Sequence, residues 1–199
     1  MITGIVLAGG RSSRMGRDKA LLPIDGRLLI ELVIARLRPC VDRLLVVGHP
    51  DNAVRLADLD VDAVYTDLRP GFGPLMGLYT GLMAADTPLA VAIPCDMPWI
   101  QPALIARLVQ ACREGAPLAA SRYPADRLQP FPLACRAQAC RTVGALLTRG
   151  QRSVQALFAE PEARSLPIED PALWRCFTNV NTVADYLALS DDATVASRP

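Results

Sequence analysis

The densest chemistry in this 199-residue chain lies near its start, in Leu7-Ala8-Gly9-Gly10-Arg11-Ser12-Ser13-Arg14-Met15-Gly16-Arg17-Asp18-Lys19. Two adjacent glycines let backbone approach a ligand closely and turn successive N–H groups toward one anion. Ser12 and Ser13 add hydroxyl donors. From Gly9 to Lys19, three arginines and a lysine against Asp18 give a local charge of +3, in a chain whose formal net charge is only +1. Such a loop suits phosphate groups, although a solvated turn carrying surface arginines has the same ingredients. The two standard phosphate motifs are absent. A P-loop needs Lys-Ser or Lys-Thr directly after its second glycine, but Gly16 precedes Arg17 and Lys19 precedes Ala20. A dinucleotide fingerprint needs G-x-G-x-x-G, and Gly9-Gly10 is followed by Arg11.

Three further segments carry polar groups at informative places. Asp96, in Ile93-Pro94-Cys95-Asp96-Met97-Pro98, follows the most apolar run of the chain, Leu89 to Ile93, and prolines on both sides restrict the backbone that aims it. It is the preferred candidate for an active carboxylate; capping of the following helix is the alternative. Gly73-Pro74-Leu75-Met76-Gly77 reads as a helix start with proline at the first helical position. Asn179-Val180-Asn181-Thr182 places two asparagine side chains on one face, before a helix that Thr182 can cap.

Positioning these residues requires strands that end where they begin. Apolar runs at Ile2–Leu7, Arg43–Val47, Ala63–Tyr65, Leu89–Ile93 and Pro117–Ser121 alternate with helical patterns at Leu28–Leu37, Leu75–Ala85 and Pro102–Cys112. This alternation predicts a Rossmann-like, doubly wound, mostly parallel sheet in three α/β/α layers, with ligands beyond the C-terminal strand ends. Farther on, the pattern gives a loop over Arg122–Arg127, a strand over Leu128–Cys135 and helices over Ala137–Leu147 and Val154–Phe158. A last strand over Phe177–Val180 and a helix over Val183–Leu189 follow. No linker divides residues 1–189, so one domain is expected, with 190–199 as a flexible tail.

Composition excludes several classes. Hydrophobic residues make up 51% and charged residues 21%, with 13 glycines and 17 prolines, which is a globular profile. The near-zero net charge argues against a nucleic-acid binder with a basic surface. A single histidine, His49, rules out multi-histidine zinc chemistry. Six cysteines without any C-x-x-C pair read as buried thiols of a reducing compartment. The short first apolar run does not resemble a signal peptide, and no run reaches the length of a membrane span. A cytoplasmic protein is expected, bound neither to membrane nor to nucleic acid.

The signature L-A-G-G-x-x-x-R-M-G-x-D-K resembles that of the molybdenum cofactor guanylyltransferases, members of the wider nucleotidyltransferase class. G-P-L-x-G at Gly73–Gly77, the aspartate after Pro94-Cys95 and N-V-N-T at Asn179–Thr182 follow in the family's order. The resemblance implies GTP and molybdopterin, with or without molybdenum, as substrates, Mg²⁺ as cofactor and pyrophosphate as product. It implies nucleotide binding by Leu7, Ala8, Gly9, Gly10, Lys19, Asp67, Gly73, Pro74, Leu75 and Asp96, with Arg14 and Lys19 on the phosphates and Asp96 on the metal. The catalytic set is then Arg14, Lys19 and Asp96. Gln129, Pro130, Arg152, Ser153, Asn179 and Asn181 fall where the family contacts its acceptor. It further implies transient contacts with cofactor-supplying proteins and apo-molybdoenzymes. The glycine pair Gly9-Gly10 favours GTP over CTP, while Gly48 departs from the asparagine that some relatives place against the nucleotide. A cytidylyltransferase of the same cofactor, a transferase acting on another metabolite phosphate and a non-catalytic GTP-binding protein are the competing readings.

Overall fold

The computed structural model describes residues 1–9, 18–24, 26–185 and 187–188. Among these the strands are β1 (Ile2–Ala8), β2 (Pro23–Ile24), β3 (Arg27–Leu28), β4 (Arg43–Gly48), β5 (Ala63–Thr66), β6 (Leu89–Pro94), β7 (Leu118–Arg122), β8 (Leu128–Arg136) and β9 (Arg164–Pro167). The α-helices are α1 (Leu29–Leu37), α2 (Ala53–Leu56), α3 (Pro74–Ala84), α4 (Pro102–Arg113) and α5 (Ala139–Thr148).

Seven strands form one sheet in the order β5-β4-β1-β6-β8-β7-β9. The β1–β4, β1–β6, β4–β5 and β7–β9 pairs are parallel, whereas β8 runs antiparallel to both its neighbours. The chain lays β4 and β5 on one side of β1 and then crosses to put β6 on the other. Strand order therefore reverses between β1 and β6, and this is where an open α/β sheet receives ligands.

The period of two along each strand divides the core. Val6, Val46, Val91 and Ile93 pack with α1 and α4, while Ile5, Val47, Ala90 and Ala92 pack with α3 and α5. Helices on both faces give the expected three layers. Small residues control one of these contacts: a Cβ on Gly81 of α3 would lie 2.5 Å from Ile5 Cγ2, so α3 rests almost directly on β1. Leu75 and Leu78 of the same helix are fully buried, each worth about 1.5–3 kcal/mol of transfer free energy.

The expected strand over Phe177–Val180 is corrected. Pro171–Phe177 is a 3-10 turn and 178–180 lies outside regular structure, joined to the sheet side by the Val180 N–H donated to the Asp96 carbonyl at 3.0 Å. Val154–Ala159 is 3-10 rather than α-helical, and the β2–β3 hairpin and β9 are additional elements. The tail expected at 190–199 lies outside the described residues. No helix among those described is long and apolar enough to cross a membrane.

Candidate active site

Lys19 is where three distant stretches of chain converge. Asp18 precedes a 3-10 turn over Lys19–Leu21 and accepts the Ala20 N–H on Oδ1 at 3.0 Å, which fixes the turn and presents Lys19. The Lys19 ammonium donates to Asp96 Oδ2 at 3.1 Å, to the Val180 carbonyl at 3.3 Å and to Asn181 Oδ1 at 3.5 Å. Asp96 stands just past β6, beyond the strand-order reversal. The Cys95 N–H is donated to the Leu7 carbonyl at 3.0 Å, which holds the end of β6 against the end of β1. Both charged side chains are mostly buried, at 23% and 15% exposure, so their attraction is screened less than that of a surface pair.

The second carboxylate oxygen of Asp96, Oδ1, is buried and has no hydrogen-bond partner among the described residues. A buried carboxylate oxygen without a donor is costly, and a cation is the group that would complete it. No cluster of three or more His, Cys, Asp or Glu side chains exists among the described residues. A single carboxylate nonetheless fits a hard divalent ion that keeps several waters and takes the rest of its shell from phosphate oxygens. The Asn179 Oδ1 is likewise buried without a partner among the described residues.

A cleft of about 440 Å³ connects these groups to the other side of β1. Its walls include Leu7, Ala8, Gly9, Asp67, Gly73 and Pro74, together with Lys19 and Asp96. Asp67 follows β5 and is 7% exposed. Its Oδ1 accepts the Arg69 N–H at 3.1 Å and is 3.4 Å from the Thr80 hydroxyl. Oδ2 makes no hydrogen bond among the described residues and lies 3.7 Å from where a Cβ on Gly9 would be, facing the glycine end of the cleft. A larger hollow of about 730 Å³ runs along α4 and contains none of the sequence-derived site residues.

Gly73 has φ +91° and ψ 172°, a conformation essentially reserved for glycine. A Cβ there would also lie 2.8 Å from the Arg152 carbonyl. That carbonyl accepts the Leu75 N–H at 3.1 Å, so the start of α3 is clasped by residue 152. Leu75 itself contributes a core side chain. The Arg152 and Arg69 guanidinium groups lie 4.5 and 4.1 Å from the Phe72 ring centroid, in cation–π range.

The remaining acceptor-side residues are spread out. Asn181 meets Lys19, and the Ser153 hydroxyl accepts the Gln155 N–H at 3.2 Å as a cap. Gln129 donates its side-chain amide to the Tyr123 carbonyl. Pro130 lies beside it in β8, one residue before Phe131, which lines the cleft. Tyr123 stacks between Trp174 and Phe177 with centroids 5.3 and 5.2 Å away. Thr182 caps the helical residues 183–185, where the last expected helix begins: its Oγ1 accepts the Asp185 N–H at 3.1 Å, and Asp185 Oδ2 accepts the N–H groups of Asn181 and Thr182 at 2.8 Å each. Gly10 and Arg14 lie outside the described residues.

Sequence patterns missed Asn52, which is 4% exposed and bonded to both ends of the glycine-rich segment. No motif contains it, and only the fold brings it to β1. The cysteines are all free, as expected. Burial pushes the Cys95 thiol, next to Asp96, far above its ordinary range and Cys112 up to about 11. Neither is a thiolate nucleophile near neutral pH.

A mostly parallel sheet whose order reverses between β1, which leads into the glycine-rich loop, and β6, which leads to a lysine-bound aspartate, defines a Rossmann-like α/β nucleotidyltransferase, a class for which the solved relatives share the fold. Residues 4–165 match the MobA-like NTP transferase domain, and the chain belongs to that family. It is 37% identical over 194 residues to the molybdenum cofactor guanylyltransferase of Cupriavidus taiwanensis, covering 94% of this chain and 95% of that protein. The fold is similar to that of molybdopterin-guanine dinucleotide biosynthesis protein A from Archaeoglobus fulgidus, with a TM-score of 0.83 at 20% identity over 97% of this chain and 99% of that one. A Mycobacterium tuberculosis protein solved as a complex with manganese matches with a TM-score of 0.73 at 24% identity, covering 96% of this chain and 98% of that one.

Proposed function

We propose that this protein transfers GMP from GTP to the terminal phosphate of molybdopterin, with or without bound molybdenum, and releases pyrophosphate. The observation that carries this reading is the Lys19–Asp96 pair with its unpartnered inner oxygen, set at the strand-order reversal next to the glycine-rich loop. The curated relative of high identity bears the name of this activity.

An oxygen of the acceptor phosphate attacks the α-phosphorus of GTP, a new P–O bond forms, and the bond to the β-phosphate oxygen breaks with pyrophosphate leaving. A phosphate monoester has its second pKa near about 6, so the nucleophile arrives largely as a dianion and needs no general base. The protein's task is positioning and charge stabilisation. Asp96 is the residue to hold a divalent cation, magnesium in this reading, and that cation supplies charge neutralisation on the triphosphate. Lys19 and Arg14 face the phosphates. Leu7, Ala8, Gly9 and Gly10 offer backbone to the nucleotide, and Asp67, Gly73 and Pro74 border the base and ribose, with Leu75 anchoring that turn in the core. Asn179, Asn181, Gln129, Pro130, Arg152 and Ser153 serve the acceptor. The setting is cytoplasmic, with proteins that supply molybdopterin and accept the product as transient partners.

Purified protein incubated with molybdopterin, Mg²⁺ and each of GTP, CTP, ATP and UTP in turn tests the proposal. Pyrophosphate release with GTP, and formation of the guanine dinucleotide, is the expected result. Release with CTP but not GTP would assign the cytosine version instead. Activity that persists without molybdopterin when a sugar phosphate is offered would move the acceptor to another metabolite.

A further inference from the structure

Asn52 belongs to none of the motifs above, yet its side chain hydrogen-bonds the chain on both sides of positions 10–17. The residue precedes α2 and does not cap it with its side chain. The amide turns back toward β1. Its Oδ1 accepts the His49 N–H at 2.8 Å, and its Nδ2 donates to the Ala8 carbonyl at 3.0 Å and to Asp18 Oδ2 at 2.6 Å. An asparagine amide has two N–H bonds, and both have acceptors here. The reverse orientation would set an oxygen against two acceptors and an NH₂ against an N–H, so the network fixes the amide's direction.

The space that Asn52 occupies is made by Gly48. A Cβ at that position would lie 2.7 Å from Asn52 Oδ1 and 2.6 Å from Leu56 Cδ1. Gly48 pairs in register with Ala8, so the glycine opens β4 opposite the last residue of β1. On the far side of the bridge, Asp18 passes the constraint on: its other oxygen holds the Ala20 N–H and thereby the turn that carries Lys19.

We propose that Asn52 is a positioning residue for nucleotide binding, holding Ala8 and Asp18 together so that Gly9 and Lys19 meet the triphosphate in register. This rests on the reading that the cleft takes a nucleoside triphosphate. Holding Ala8 and Asp18 on one buried amide sets the positions of their neighbours Gly9 and Lys19 before the ligand arrives, so less ordering is left to be done on binding. Asn52 does not line the cleft; it acts through the residues it holds.

Asn52→Asp tests this with little change of volume. The aspartate keeps the acceptor for the His49 N–H but loses both donors and sets a carboxylate against Asp18. Calorimetric titration of the full chain with Mg·GTP needs neither acceptor nor turnover. The expected result is a Kd raised about tenfold or more, in line with losses on removing groups that orient a site's ligands. In turnover, KM for GTP rises while KM for molybdopterin does not. Exchanging the partners in Asp18→Asn/Asn52→Asp restores one donor–acceptor pair with opposite polarity and recovers part of the affinity. An unchanged Kd in Asn52→Asp, or a double variant no better than the single one, overturns the proposal. Should Asn52→Asp fail to fold, Asp18→Ala cuts the bridge at its more exposed end, and an unchanged Kd there is equally fatal. A wild-type chain that binds no Mg·GTP overturns both this inference and the function it rests on; wild-type binding with indifferent variants overturns this inference alone.

Discussion

The two flanks of the Lys19–Asp96 pair are built in opposite ways. On the β4–β5 flank, parallel strands end together and their ends are laced by buried polar groups: Asn52 to Ala8 and Asp18, the Asp67 N–H to the Gly48 carbonyl at 2.9 Å, and Thr80 against Asp67. On the β8 flank Phe131 of an antiparallel strand lines the cleft and the irregular stretch at 178–181 meets Lys19, while an aromatic stack with Trp174 42% exposed follows β7 farther along the same sheet edge. One flank is a connected network of buried hydrogen bonds, open at Asp67 Oδ2, that resists distortion. The other presents separate contacts, with Asn179 Oδ1 left without a partner among the described residues. The difference matches the proposed division of labour, in which the nucleotide is gripped on one side and the pterin-bearing acceptor is admitted on the other.

Asp96→Ala should be the most damaging change, because Asp96 serves both flanks. kcat is expected to fall about 10²–10³-fold with the fold retained; a variant retaining most of its turnover would remove Asp96 from the metal role. Gly73→Ala strikes the rigid flank. Its glycine-only conformation and the Arg152 carbonyl behind it predict a loss of about 1–3 kcal/mol in thermal or denaturant unfolding, and an unperturbed midpoint would show that this turn can yield. Trp174→Ala thins the open flank. A loss of only about 0.5–1.5 kcal/mol beyond buried area is expected from the stack, with KM for molybdopterin rising and KM for GTP constant. A GTP effect of the same size would erase the distinction between the flanks. The smallest effect concerns Asp185, whose carboxyl is held below its ordinary value of 3.8, first by the Asn181 N–H and then by the Thr182 hydroxyl and N–H. Because the folded value is the depressed one, its contribution is full above the unfolded pKa and disappears as pH falls through the folded one. Melting of wild type and Asp185→Asn should therefore differ by a constant amount near neutrality and converge in acid below about pH 4. A gap that persists in acid would break the assignment.

The strands that carry the rigid flank were legible because parallel, doubly covered strands are continuous apolar runs, and β1, β4 and β6 fall within a residue or so of where their patterns place them. Direction is not written in such a run, so nothing in Leu128–Arg136 marks it as antiparallel. β9, Arg-Ser-Leu-Pro at the sheet edge, is partly exposed and too short to show a period. The expected strand at Phe177–Val180 failed for a related reason: β-branched and aromatic residues there face the aromatic stack and the core, and only one backbone bond joins them to Asp96. Among the site residues, Lys19, Asp67 and Asp96 stood in recognisable motifs. Asn52 did not, because its meaning depends on a glycine four positions earlier leaving room and on a strand 44 residues away supplying the carbonyl.

The Lys19 contact to the Val180 carbonyl joins residues 161 positions apart. During vectorial synthesis β1, β4 and β6 can pair long before residue 180 leaves the ribosome, and loop-closure entropy makes so non-local a contact late in any folding route. A nascent chain therefore has its sheet before it has its active site. Turnover acquired during refolding should lag behind the recovery of secondary structure.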